Sequence, residues 1–335
     1  MNNIISTYKD IELNSWNILV QTSNTSTWFQ SAEAYNFYAS LPDLFEPFVY
    51  VVENGSVLKG VIVGYITQEK NAVKQFLTRR AIIIGGPALA NDITDKELTF
   101  LLNTVKSELE RKAIYIETRN FNDYSKWRTV FEKCGFKYED HLNFHIDTSS
   151  EDIVNANLGK SRKRDIKTSF RDGATIIENP TLEQIKEYYN ILSNLYKVKV
   201  KTPLFPFDFF RKLWEMPFGK FLLVELNDCI IGGTVCVEEK NKCLYEWFVC
   251  GMDGESKSIF PSSVATYAGI KYAMEHGCTR FDMMGAGTPA ESYGVRDFKA
   301  KFGGKLVEHG RFCYVCNPLL YQIGKYGVKM LKKLK

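Results

Sequence analysis

Residues 279–304, TRFDMMGAGTPAESYGVRDFKAKFGG, gather side chains able to act on a charged or carbonyl-bearing ligand. Arg280–Met284 reads as a strand and carries Asp282, which could orient a substrate amine or simply cap the loop that follows. Gly285 and Gly287 come next, and glycine lets a backbone approach a ligand closely. Tyr293, Arg296, Phe298, Lys299 and Lys301 then precede Gly303-Gly304. An ordinary lysine is an ammonium at neutral pH, so Lys299 could steady a developing negative charge. Service as a general base would require burial to lower its pKa. The competing reading is a surface lysine on a charged helix. Gly285-Ala286-Gly287 with Ala290 imitates a dinucleotide fingerprint. Pro289, Arg296, Asp297 and Lys299 follow where that motif needs an apolar helix, which argues against such a cofactor.

A second constellation is the run Lys160, Arg162, Lys163, Arg164, Lys167 and Arg171, opposed by Asp165. Cations on a helix suit phosphate groups, with Arg162 and Lys163 the favoured contacts; a solvated helix face would look the same. Tyr245 and Trp247 alternate on a strand and could line a substrate groove or serve as core aromatics. Metal sites are poorly supported. Cys229, Cys236, Cys243 and Cys250 recur at an odd spacing that alternates faces on strands. Cys313 and Cys316 form a lone C-x-x-C, so the eight cysteines read as reduced, mostly buried thiols. His141 and His145 flank Leu-Asn-Phe, without the glutamate base of a zincin, and read as structural or surface histidines.

The elements that must position these groups occur twice. In the first half, residues 27–41 read as a helix stopped by Pro42. A hairpin follows, Phe48–Val52 and Val57–Ile66 around Asn54-Gly55, then a short strand Arg80–Ile84. Thr94 and Glu97 make a capping box for a helix to about Arg111, followed by strand Ala113–Glu117, a helix ending near Cys134-Gly135, and the strand-like Phe136–Ile146. In the second half, Thr181 and Gln184 cap a helix to about Lys197. Phe221–Leu226 and Cys229–Val237 make a hairpin at Asn227-Asp228, followed by strand Leu244–Val249, helix Ser262–His276 and strand Arg280–Met284. The hairpins align without gaps: VVENGSVLKGVIV (51–63) lies against LVELNDCIIGGTV (223–235), matching Val52 to Val224, Glu53 to Glu225 and Gly60 to Gly232. Two copies imply two similar α/β domains instead of a solenoid. The expected division is 1–148 and 149–316, with a helix at 317–335 packing back on the first domain.

The chain has 335 residues, of which 45% are hydrophobic and 24% charged, ample for two domains with separate cores. A net charge of +4 is too mild for a dedicated DNA-binding protein. MNNIISTYKD lacks the basic and apolar regions of a secretory signal, and no apolar run is long enough to span a bilayer, so the cytoplasm is the expected compartment. The C-terminal segment is amphipathic: Leu319, Ile323, Tyr326, Met330 and Leu334 share one face, opposite Lys325, Lys329, Lys332 and Lys333. It could touch anionic lipid at the inner face of the membrane, or pack on the protein.

Hairpin, strand, helix and strand in this order resembles the core of GNAT acyltransferases. More specifically, Phe298-Lys299 with Phe302-Gly303 is similar to the F-K-x-x-F-G segment of Fem-type (FemABX) aminoacyltransferases. Trp28, Gln30 and Ser31 resemble that family's W-x-Q-S opening, and LGKSRKRDIKTSFRDG (158–173) its basic second-domain helix. The resemblance implies an α/β (α+β) fold of tandem GNAT-like domains with mixed sheets flanked by helices. No long heptad segment is present, so the chain resembles members without a coiled-coil arm. The implied activity is transfer of an amino acid from aminoacyl-tRNA to an amine of a nucleotide- or lipid-linked cell-wall precursor, with no metal or resident cofactor. Lys299 would stabilise the oxyanion, Phe298 would pack on the donor, and Arg162, Lys163 and Arg296 would hold phosphate or carboxylate groups. The alternatives are an acyl-CoA-dependent N-acyltransferase and a non-catalytic precursor-binding module.

Overall fold

The computed structural model describes residues 2–290 and 293–333, with side chains from residue 3 through 326. Leu334 therefore lies outside the described residues, as do the side chains of Lys329, Met330, Lys332 and Lys333. The chain forms two units, Met1–His141 with Glu308–Lys335, and Leu142–Val307. The early strands are β1 (Asn2–Ile5), β2 (Phe45–Asn54), β3 (Val57–Thr67), β4 (Ala81–Gly85), β5 (Ala88–Leu89), β6 (Tyr115–Asn120) and β7 (Lys137–Glu139). The later ones are β8 (Leu142–Asp147), β9 (Thr175–Ile177), β10 (Gly219–Leu226), β11 (Cys229–Glu239) and β12 (Cys243–Gly251). They are completed by β13 (Arg280–Asp282), β14 (Lys305–Glu308) and β15 (Arg311–Val315).

The first sheet runs β1-β2-β3-β4-β6-β15-β7 and the second β9-β10-β11-β12-β13-β8-β14, the same plan twice. In each, one internal pair is parallel, β4 with β6 and β12 with β13. The duplication reaches single residues. The β2–β3 ladder shifts register between Val52 and Glu53, and β10–β11 shifts at the matching Val224 and Glu225. A bulge at one aligned position in both hairpins is a shared geometric feature, unlike a chance match of apolar letters.

Strand exchange moves the expected boundary. Phe136–Ile146 does not form one strand: β7 joins the first sheet and β8 the second, so the division falls at His141/Leu142 instead of 148/149. Reciprocally, β15 lies between β6 and β7 in the first sheet, so the second unit ends at Val307 instead of 316. Phe312 on β15 stacks on Phe131 at 4.0 Å inside the first core.

Local signals behave as the sequence implied. Thr94–Glu97 and Thr181–Gln184 both close as capping boxes. Residues 27–41 are not one helix: a turn at Trp28–Gln30 precedes Ala32–Ala39, which Ser31 caps through Ala34 N–H. The Gln30 amide bridges β3 to β4, donating to Val63 and Ile84 carbonyls and accepting from Val63 N–H. All eight cysteines are unpaired and six of them are buried. The longest described helix, Pro318–Lys333, belongs to the first unit, but its Leu319–Ile323–Tyr326 face is exposed; among its described side chains Leu320 is the buried one.

Candidate active site

The site begins where two parallel strands part. β12 and β13 pair over Cys243↔Arg280, Leu244↔Phe281 and Tyr245↔Asp282 only. Beyond Asp282 the chain keeps to β8, with Met283 N–H donating to Phe144 O and Ala286 N–H to Leu142 O, while β12 continues to Gly251. A notch opens at the carboxyl ends of the parallel pair, the place where open α/β sheets gather ligands. Glu246 is the first β12 residue past the split.

Lys299, on the short helix Gly294–Ala300, fills that notch and is 8% exposed. Its ammonium donates to Met283 O and, at 3.0 Å, to Gly285 O, and stands 3.9 Å from Glu246 Oε2. Burial pulls its pKa below the ordinary lysine value, against the pull of Glu246 and Asp282. Glu246 is 3% exposed, and neither carboxylate oxygen has a hydrogen-bond partner among the described residues. Burial pushes its pKa up to about 7, opposed chiefly by Lys299. A buried carboxyl titrating near neutrality beside a buried lysine is characteristic of functional sites.

The loop that Lys299 grips is fixed from below. Asp282 is fully buried; its Oδ1 accepts from Asn143 Nδ2 at 2.7 Å and Met284 N–H at 2.8 Å, and its Oδ2 lies 3.1 Å from His145 Nε2. Burial alone would raise the Asp282 pKa, but His145, Arg280 and Asn143 together hold it below the usual carboxylate value. Asn143 Oδ1 accepts Gly285 N–H at 2.7 Å. Met284 at φ 52° and Gly285 at φ 126° sit in the left-handed region, where such anchoring is needed. Arg296 holds the far side, donating to Ala286 O at 2.9 Å and to Thr288 O. Asp282 and Arg296 thus shape the loop. Gly287, at φ 75°, faces the Tyr293 ring, which a Cβ there would meet at 2.9 Å.

Beside this loop lies an open cleft of about 460 Å3, lined by Arg162, Asp253, Lys257, Ile259, Phe260 and Phe298 among others. The basic helix Lys160–Arg171 reaches it because Gly159 N–H donates to Lys301 O at 3.0 Å, a contact with no room for a side chain. Arg162 then lies over the Phe298 ring at 4.4 Å and pairs with Asp165 at 2.9 Å, while its Nε has no partner among the described residues. The two constellations read from the sequence therefore meet at Arg162 and Phe298. Lys163, one residue on, is exposed and is not among the residues that line the cleft.

Tyr245 and Trp247 do not line a groove together. Tyr245 is fully buried and donates to Glu239 Oε2 at 2.9 Å, a core position. The β11–β12 register shift leaves Trp247 between the residues paired with Val235 and Cys236, and its half-buried ring stacks with Phe248 and meets Phe209. Sequence reasoning missed Glu246, Asn143 and His145. The available signals were an acid inside the apolar run CLYEWFVC, and Asn143 and His145 alternating on one strand face. No metal-holding group of side chains occurs among the described residues.

Comparison with known proteins agrees with this architecture. Residues 220–329 match the FemAB family. A 94-residue stretch is 35% identical to the lipid II:glycine glycyltransferase of Staphylococcus aureus (strain USA300), covering 24% of this chain and 22% of that protein. The chain thus matches about a fifth of that relative's length. The crystal structure of FemX superposes with a TM-score of 0.72 at 14% identity, over 95% of this chain and 99% of that one. A tandem GNAT protein from the clavulanic acid biosynthesis pathway gives 0.58 at 9% identity, over 95% and 99% of the chains. The stretch that carries Lys299 is therefore similar to the FemAB family, and it lies within a tandem GNAT-like fold that extends along nearly the whole chain.

Proposed function

We propose that the second unit transfers an aminoacyl group from aminoacyl-tRNA to an amine of a peptidoglycan or other cell-envelope precursor. The observation that carries the reading is the buried Lys299 ammonium beside Glu246, at the split between β12 and β13. In the reaction the acceptor nitrogen adds to the donor ester carbonyl and leaves a negative oxygen on a tetrahedral carbon. The new C–N bond persists, the C–O bond to the ribose breaks, and the amine proton ends on the departing hydroxyl. Two of the three ammonium donors hold loop carbonyls, and the third is the oxyanion donor. Glu246 is a positioning residue that keeps Lys299 charged. Phe298 packs on the donor, and Arg162 offers its guanidinium to phosphate, as a nucleotide- or lipid-linked pyrophosphate would provide. Such precursors place the reaction in the cytoplasm or at the inner membrane face. No metal or resident cofactor enters this reading.

The relative's printed name, a glycyltransferase of lipid II, supports an aminoacyl group as what is transferred and a lipid-linked precursor as the acceptor. Acyl-CoA fits less well. The helix Pro261–Glu275 follows β12, but its Ser262 N–H already donates to Asp253 Oδ1 at 3.1 Å. That carboxylate stands where an incoming pyrophosphate would need helix N–H groups, and would repel it. The test is incubation of the protein with charged tRNAs, acetyl-CoA and a panel of nucleotide- and lipid-linked muropeptides. Mass spectrometry should show precursor heavier by one amino-acid residue; an acetyl adduct, or no adduct from any pair, contradicts the reading.

A further inference from the structure

The helix Pro318–Lys333 is held to the first unit by buried Leu320 and by Tyr321, whose ring meets Tyr115 edge-on at 5.3 Å. Its other apolar stripe has no cover: Leu319, Ile323 and Tyr326 are 71%, 51% and 69% exposed. Alongside it packs the short helix Ala72–Thr78, which buries none of its residues. Val73, Phe76 and Leu77 on that helix, at i, i+3 and i+4, are 69%, 51% and 42% exposed. Singly scattered apolar residues are normal on a surface, but six large ones on two adjoining helices mark an interaction face.

The charge around this face names the partner. From Lys70 to Asn91 the sequence holds Lys70, Lys74, Arg79 and Arg80 and no acid. From Pro318 to Lys335 it holds five lysines and no acid. Lys70 and Lys74 do meet Asp43 and Glu69 at 3.1 and 2.7 Å, but exposed pairs of this kind are weak and exchange readily with other anions. Bare apolar stripes flanked by acid-free basic segments fit the interface of an anionic bilayer, where side chains enter the acyl boundary and lysines meet headgroups. No described helix is long and apolar enough to cross a membrane, so any contact made by these helices is lateral.

We propose that Ala72–Thr78 and Pro318–Lys333 together form a docking surface for an anionic lipid bilayer. The surface stands or falls independently of the chemistry at Lys299. The test is co-sedimentation of the full chain with phosphatidylglycerol-containing or pure phosphatidylcholine vesicles, with two variants, Phe76→Ser/Ile323→Ser and Lys74→Glu/Lys325→Glu. All four side chains are exposed, so an unchanged Tm confirms that both variants fold. Wild type should sediment with the phosphatidylglycerol vesicles. Binding should fall about ten-fold in either variant, and similarly in roughly 0.5 M salt. Equal binding to both vesicle types, or variants that bind like wild type, overturns the proposal. So does light scattering that shows a dimer dissolved by Phe76→Ser/Ile323→Ser, since the face would then belong to a second copy.

Discussion

Lys299 is gripped by two backbone carbonyls with the Glu246 carboxyl 3.9 Å away; burial is the larger influence on its charge state, and Glu246 opposes it. Removing the Glu246 charge should let Lys299 lose its proton more easily, because Glu246 opposes the effect of burial. The alkaline limb of the pH–rate profile of Glu246→Gln should therefore move to lower pH than in wild type; coincident profiles would remove Glu246 from the account. Stability gives a second readout with a defined sign. The Glu246 pKa is raised from 4.5 to about 7 on folding, so its contribution is complete below 4.5 and is lost as pH rises through about 7. Urea unfolding should show wild type losing stability relative to Glu246→Gln across that window. Lys299 and Phe298 were legible as a motif, and Arg162 as a cation suited to phosphate. Glu246 was not, because CLYEWFVC draws attention to its aromatics and only the strand split shows which neighbour faces Lys299.

At the scale of elements, the site depends on close backbone approaches that the sequence marks only as glycines. Gly303 ends the F-K-x-x-F-G segment at φ 81°, and a Cβ there would stand 2.1 Å from Asn157 O. Gly303→Ala combines backbone strain with a backbone clash and should cost about 3 kcal/mol or more, read as a fall in Tm or in urea midpoint. A cost below about 0.5 kcal/mol would mean that helix Glu151–Asn157 does not pack here as described. Hairpins and capping boxes were readable because turn and cap chemistry is local. The Met284–Gly287 turn was not, because its shape comes from Asn143 and Asp282, far apart in sequence. The amphipathic pattern of Pro318–Lys333 was plain, yet periodicity cannot say which stripe meets the protein; Leu320 does so, and Leu319 does not.

For the whole molecule, the gapless hairpin match disclosed the duplication, and the shared bulge makes it structural. The exchange of β8 and β15 was hidden, since each reads as an ordinary strand and sequence order assigns each to its own half. One consequence is that the C-terminal segment stabilises the first unit. Deleting residues 308–335 removes an internal strand and the Phe312–Phe131 stack. Hydrogen exchange should then show lost protection in β6 and β7 and retained protection in β11 and β12; uniform protection in both sheets would refute the exchange. The proposed transfer depends above all on the Lys299 side chain. The decisive measurement is the single-turnover rate of Lys299→Met with saturating donor and acceptor, beside its acceptor affinity and Tm. The rate should fall at least about 100-fold while affinity stays within a few-fold and the protein remains folded; a rate equal to wild type would contradict the assignment.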